Sequence, residues 1–382
     1  MFEYFPTNYV WNLATNLALN TGGHITEIDE ICRPLLAASE QGDDAGTEQF
    51  FAAWCERADR LVAHAEADLA AEHELSAARK YQRASVYYLT AERQQSRGFA
   101  PRQRAYERML DTFSRAVTLG RQNCERVEVP YEGTAYPAYL VRAQPADGQT
   151  RTPVMIHCNG LDSTKEMVYG SGIAHELARR GVSTLIVDHP GVGEALRLRG
   201  LTGYAESERW AGAAVDFLTG LDDIDASRIG IIGWSLGGYY APRAAAFEDR
   251  LSLCVSWGAN YDWGAVQRRR LAREGSNPVP HYWEHVQWVF GMDTKDEFMK
   301  FAPTMNLKGV VEKIAVPYLI THGENDRQIP LEYAHTQFEA ATASPDRELR
   351  IFTAEEGGAE HASADNMSVA TSFISDWIVA RL

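Results

Sequence analysis

The 382-residue chain is short of cysteine, of basic charge and of long apolar runs. Its five cysteines, Cys32, Cys55, Cys124, Cys158 and Cys254, are scattered, odd in number and never spaced as CxxC. That pattern excludes a disulfide framework and argues against a zinc site, so no metal is expected. The formal net charge is -15, from 52 acidic against 37 basic side chains. Nucleic acids and anionic membranes both select a basic face, so neither is an expected partner. No stretch approaches the roughly 18 consecutive apolar residues of a membrane-spanning helix. The opening "MFEYFPTNYVWNLA" lacks the basic and apolar regions of a secretory leader. A reducing cytoplasm is therefore the expected compartment.

What is present suits a large folded core. Hydrophobic residues make up 45% of the chain and charged residues 23%. The length exceeds one ordinary domain. The texture changes near residue 120. Before it the apolar spacing is helical throughout. Thr26 and Asp29 form a candidate capping pair for "TEIDEICRPLLAA". Phe50, Trp54, Ala58, Leu61 and Ala65 share one helix face, as do Ala77, Tyr81, Ala84, Tyr88 and Ala91. A third helix begins at Pro101 and buries Tyr106, Met109 and Phe113. Residues 1–120 are expected to form an all-helical domain.

After residue 120, strands alternate with helices. "RVEVPY" and "AYPAYLVRA" flank "EGT" as a hairpin. "TPVMIHC", "VSTLIVD", "RIGIIGW", "LSLCVSW", "VPYLITHG" and "ELRIFTA" read as further strands with helices between them. This pattern predicts an α/β domain over 121–382, with a mainly parallel sheet and helices on both faces. Such a sheet gathers any site along its carboxyl edge. The connection from "LSLCVSW" to "VPYLITHG" is too long for a plain crossover, so a helical insertion is expected around 262–308.

The chemistry centres on "IGIIGWSLGGYY". Ser235 lies between Gly233 and Gly237, after an apolar strand and before a helix. That is the setting of a nucleophile on a tight strand-to-helix corner. A serine hydroxyl needs a base, and the base needs an orienting carboxylate. In this arrangement the acid follows the serine and the histidine comes last. "ENDRQIP" after its strand offers Asp326 as the acid, with Asp262 as the competing position. "EEGGAEHA" after the last strand offers His361 as the base. The developing oxyanion needs two backbone N–H groups. Leu236 is one expected donor, and Leu161 or Gly160 in "NGLDST" is the other. Asp162 in that loop either caps the following helix or faces substrate. Trp234, Tyr261, Trp263 and Trp283 are candidate pocket walls. His189 and His322 read as structural, and "GVGEA" lacks the setting of a dinucleotide loop. No cofactor is expected.

With those residues in place, the chain resembles the α/β-hydrolases. Within them it is similar to a branch carrying a helical segment before the catalytic domain. That branch holds fermentation-respiration-switch-like esterases, 2,6-dihydroxypseudooxynicotine hydrolase and fungal polyketide-shortening hydrolases. The matching stretches are "YQRASVYYLTAE", "NGLDSTKE", "DHPGVGE", "GWSLGG", "HGENDRQIP" and "GGAEHA". The resemblance implies Ser235, Asp326 and His361 as a triad, a helical segment that caps the pocket, and a homodimer. It further implies a small-molecule substrate cleaved at an ester or beside a ketone through an acyl-enzyme. An acyltransferase or cyclase built on the same triad, and an inactive binding protein, are the competing expectations.

Overall fold

The computed structural model describes residues 1–146 and 148–382. The chain divides into two compact units, Met1–Cys124 with Asn277–His285, and Glu125–Ser276 with Val286–Leu382.

The main segment of the first unit is helical: α1 (Tyr9–Asn20), α2 (Ile25–Cys32), α3 (Leu36–Ser39), α4 (Thr47–Ala70), α5 (Glu74–Arg93) and α6 (Pro101–Leu119). Helices α4, α5 and α6 pack through small residues. Ala65, Ala77, Tyr81 and Ala116 form one buried cluster, with Val62, Leu69 and Leu119 against it. An aromatic ladder runs from Trp11 to Phe50, Trp54 and Tyr87, with centroids 4.9, 5.4 and 5.5 Å apart. The capping pair expected at Thr26 and Asp29 is not formed. The N-cap of α2 is His24, two residues before Thr26, and Asp29 instead pairs with Tyr4 and Arg33. None of these helices is long and apolar enough to cross a membrane, nor is any other among the described residues.

The second unit carries one eight-stranded sheet. In chain order its elements are β1 (Glu125–Tyr131), β2 (Thr134–Val141), β3 (Thr152–Cys158), α7 (Lys165–Gly170), α8 (Ile173–Arg179), β4 (Ser183–Val187), α9 (Gly193–Arg197), α10 (Glu208–Thr219), β5 (Ile224–Trp234), α11 (Gly237–Phe247) and β6 (Leu251–Trp257). There follow α12 (Trp263–Leu271), α13 (Tyr282–Phe290, of which Val286 onward belongs to this unit), α14 (Lys295–Phe301), β7 (Tyr318–Gly323), α15 (Glu332–Ala340), β8 (Arg347–Phe352) and α16 (Met367–Val379). The strand order is β1-β2-β4-β3-β5-β6-β7-β8. The β1–β2 and β2–β4 pairs are antiparallel, and all others are parallel. β3 and β4 are buried at every residue, which requires cover on both sheet faces. The outer strands β1 and β8 are partly exposed and charged, which blunts the sheet edges.

Local chemistry explains the joints. Glu132 and Gly133, at φ 45° and 79°, make the tight turn of the β1–β2 hairpin. The stretch "KEMVYGSGIAHELARRG" folds as two helices, because Gly172 adopts φ +85° and restarts the chain as α8. Lys165, at the start of α7, is wholly buried. Its ammonium meets Glu166 at 2.8 Å, Asp188 at 3.0 Å and Glu194 at 3.1 Å. Burial pushes the Asp188 carboxyl up, and Lys165 pulls it back. This cluster ties the loop after β3 to the loop after β4. Replacing Lys165 with methionine would leave buried carboxylates without their shared cation. The variant should lose about 3–5 kcal/mol of stability, read as a lower urea midpoint; an unchanged midpoint would contradict this role.

Candidate active site

The carboxyl ends of β3, β5, β7 and β8 lie along one sheet edge, and each leads into a loop that carries part of the site. Ser235 follows β5 directly, with φ +57°. A non-glycine residue in that left-handed conformation costs about 1–2 kcal/mol. The surroundings enforce it. Its N–H donates to the Trp257 carbonyl at 2.8 Å, and its carbonyl accepts from Gly238 N–H at 2.9 Å. α11 then begins at Gly237, so its positive end lies at the serine. Among the described residues, Leu236 N–H has no acceptor.

The Ser235 hydroxyl lies 2.8 Å from His361 Nε2, and His361 Nδ1 lies 2.8 Å from an Asp326 carboxylate oxygen. Asp326 accepts only, so Nδ1 carries the proton and Nε2 is left to accept from the serine. The other Asp326 oxygen accepts from the amides of Gln328 and Ile329 at 2.8 and 3.0 Å. Burial alone would raise the Asp326 pKa. The adjacent His361, with His322 and the Ile329 amide, outweighs it and brings the carboxyl down to about 2. His322 accepts from Ala259 N–H at 3.1 Å through Nδ1, so its Nε2 donates to the Ile329 carbonyl at 3.1 Å. Burial lowers its pKa and keeps it neutral, as a brace for the acid loop. Asp262, the competing acid position, is committed elsewhere. It caps α12 by accepting from Ala265 N–H at 2.7 Å.

The His361 loop has an anchor that the sequence did not disclose. Asp365 accepts from three successive amides, Gly358, Ala359 and Glu360, at 2.8, 3.1 and 2.9 Å. Immediately after His361, Ala362 and Ser363 both take left-handed φ values of 50° and 57°. Only its position four residues after the histidine could have flagged Asp365.

The loop after β3 passes close to the serine. A Cβ on Gly160 would come within 2.9 Å of the Ser235 Cβ, so only glycine fits. Two expectations for this loop need correction. The Gly160 N–H donates to the Ser163 hydroxyl at 2.9 Å and is already committed. Thr164, not Asp162, caps α7. Asp162 is nonetheless 9% exposed, well inside the protein. Two of the expected pocket walls are interior residues. Trp234 is 3% exposed and donates its indole N–H to Ser163 at 2.9 Å. Trp263 packs against Phe290 and Phe298 at 5.2 and 5.5 Å between centroids. Tyr261 is half-buried, 6.4 Å from the Tyr333 ring. Trp283 is half-buried in the first unit. His189 stacks on Trp210 at 4.5 Å, and burial lowers its pKa to about 4, in keeping with a structural role.

The sheet order, with a left-handed serine between β5 and α11, defines an α/β-hydrolase of the serine esterase and peptidase kind. More narrowly, the chain belongs to the FrsA-like esterases: the family model described as Esterase FrsA-like matches residues 52–263. The model of the prolyl oligopeptidase family matches residues 169–382. The chain is 31% identical to 2,6-dihydropseudooxynicotine hydrolase of Paenarthrobacter nicotinovorans, over 77% of this chain and 75% of the relative. It is 28% identical to 20-hydroxy-prefusarin hydrolase FUS2 of Gibberella moniliformis, over 88% of each chain. A crystal structure of 2,6-dihydroxy-pseudo-oxynicotine hydrolase superposes with a TM-score of 0.75 at 25% identity, covering 96% of this chain and 95% of that one. The chain is thus a hydrolase, and its relatives do not favour the acyltransferase or inactive-binder alternatives.

Two outcomes follow from the geometry. Asp365→Ala should speed amide hydrogen exchange at Gly358, Ala359 and Glu360 while leaving β7 protected; unchanged exchange there would contradict the anchoring role. The folded pKa of Asp326 is depressed. The stability from its pairing is therefore fully present above the usual aspartate value of about 4. It is lost as the pH falls through about 2. Asp326→Asn should lower the melting temperature at neutral pH and flatten its fall across that acid window; a fall as steep as wild type would count against the pairing.

Proposed function

We propose that Ser235, His361 and Asp326 act as a catalytic triad that cleaves a carbonyl compound through an acyl-enzyme. The observation that carries this reading is the pair of 2.8 Å hydrogen bonds joining the three side chains in the order serine, histidine, aspartate. The Ser235 oxygen attacks the substrate carbonyl carbon while His361 Nε2 takes its proton. Asp326 holds the imidazole in the required tautomer and stabilises the imidazolium that forms. The tetrahedral oxyanion accepts hydrogen bonds from the Leu236 and Leu161 amides. Collapse of that intermediate breaks the bond to the leaving group, an alcohol oxygen in an ester or an enolate carbon beside a ketone. The leaving group takes the proton from His361. Water, activated by the same imidazole, then attacks the acyl carbon. This step releases a carboxylic acid and restores the serine.

The substrate we propose is a small aromatic or polyketide-like molecule. The names of the relatives support this class, one acting on 2,6-dihydropseudooxynicotine and another on 20-hydroxy-prefusarin. That these relatives are hydrolases supports water as the acyl acceptor. Asp162, in the loop beside Ser235, is assigned to orienting the substrate, with Tyr261 as a further substrate contact.

Ser235→Ala removes the nucleophile without disturbing the fold. On an activated ester or a β-diketone that the wild type turns over, kcat should fall by a factor on the order of 10⁴ to 10⁶, with KM little changed. Turnover near the wild-type rate would reject the assignment.

A further inference from the structure

The Ser163 hydroxyl has one proton to donate and two lone pairs, and all three are used. It donates to Asn159 Oδ1 at 2.8 Å. It accepts from Gly160 N–H and from the Trp234 indole N–H, both at 2.9 Å. Ser163 is 4% exposed, so no solvent competes for these bonds. We infer that Ser163 is a positioning residue that sets the oxyanion site by fastening the loop after β3 to the nucleophile corner. This rests on the triad reading above.

Two consequences of the hydroxyl support it. First, it occupies the Gly160 N–H. That amide is thereby satisfied inside the protein and held in one direction by the hydroxyl. Second, Trp234 directly precedes Ser235. The bond from its indole therefore links two loops 71 residues apart in sequence at the point where they must hold register. Asn159 extends the linkage. Its side-chain amide donates to the Val187 carbonyl at 2.8 Å and lies 3.3 Å from Asp188. The loop amides are thus referenced to β4 and β5 together. Oxyanion donors work only within about 2.7–3.1 Å of where the charge forms. A slip of a few tenths of an ångström between the two loops is therefore felt in the transition state and barely in the bound ground state.

The test uses the full-length protein, a fluorophosphonate that phosphonylates the active serine, and a trifluoromethyl ketone that forms a tetrahedral adduct. Ser163→Ala cuts all three bonds. Trp234→Phe keeps an aromatic ring at that place and removes the indole N–H that links the loops, leaving the other two Ser163 bonds. The maximal labelling rate should fall about 10- to 100-fold in Ser163→Ala, with the half-saturating probe concentration unchanged. Inhibition by the trifluoromethyl ketone should weaken by a similar factor. Trp234→Phe should show the same pattern, less severely but by at least about threefold. A merely structural serine would lower the melting temperature without splitting the two labelling constants. Folded variants with wild-type labelling and inhibition would overturn the inference. If Ser163→Ala does not fold, Trp234→Phe decides alone, and a wild-type rate for it overturns the inference. A wild-type protein that takes no label at Ser235 would instead sink the triad reading, so the two failures are distinguishable.

Discussion

The left-handed backbone of Ser235 is the constraint from which the rest of the site follows. At φ +57° the chain turns from β5 into α11 within a few residues, so the hydroxyl stands clear of the sheet edge. The turn is affordable only because neighbouring backbone closes around it. The Trp257 carbonyl takes the serine amide, and Gly238 returns a bond to the serine carbonyl. The closeness has a price elsewhere, since Gly160 can carry no side chain where its loop passes the serine. Strain at one residue thus fixes which residues can stand around it.

The remaining chemistry is a matter of which histidine stays usable. Three others near the sheet are deeply buried and held neutral. Burial takes the His157 pKa down to about 3 and that of His189 to about 4, and it also lowers that of His322. Each contacts backbone carbonyls or packs against aromatic rings, and none touches the serine. His361 differs in its loop. Asp365 gathers the three preceding amides, and two left-handed residues follow. The imidazole is delivered between Ser235 and Asp326 by a loop with little freedom of its own.

Much of this was legible in the residues. Strand boundaries in the second unit follow apolar runs ended by glycine or polar turns, as in "TPVMIHC" and "LSLCVSW", and the observed β3 and β6 span those stretches. Ser235, Asp326 and His361 stood out because each follows a strand at the carboxyl edge. What escaped notice lacked the usual signal. α1 is buried from Val10 to Ala18, and its polar stripe of Asn12, Thr15 and Asn16 bonds to backbone instead of facing water, so the usual exposed face of a surface helix is missing. Ser163 and Asp365 act through backbone amides, and such bonds depend on loop geometry that composition does not encode. Thr164 rather than Asp162 caps α7 for the same reason. Trp234 and Trp263 illustrate a limit of residue type, since large aromatic side chains fill interiors more often than they line pockets.

The central claim is that the Ser235 oxygen becomes covalently acylated during turnover. Rapid acid quench of the enzyme with a slowly hydrolysed activated ester, followed by peptide mass mapping, tests it directly. The account predicts an acyl mass increment on the peptide containing Ser235, appearing before free acid accumulates at its steady rate and absent from every other peptide. Product formation at full rate with that peptide unmodified at all quench times, or the increment on a different residue, would contradict it.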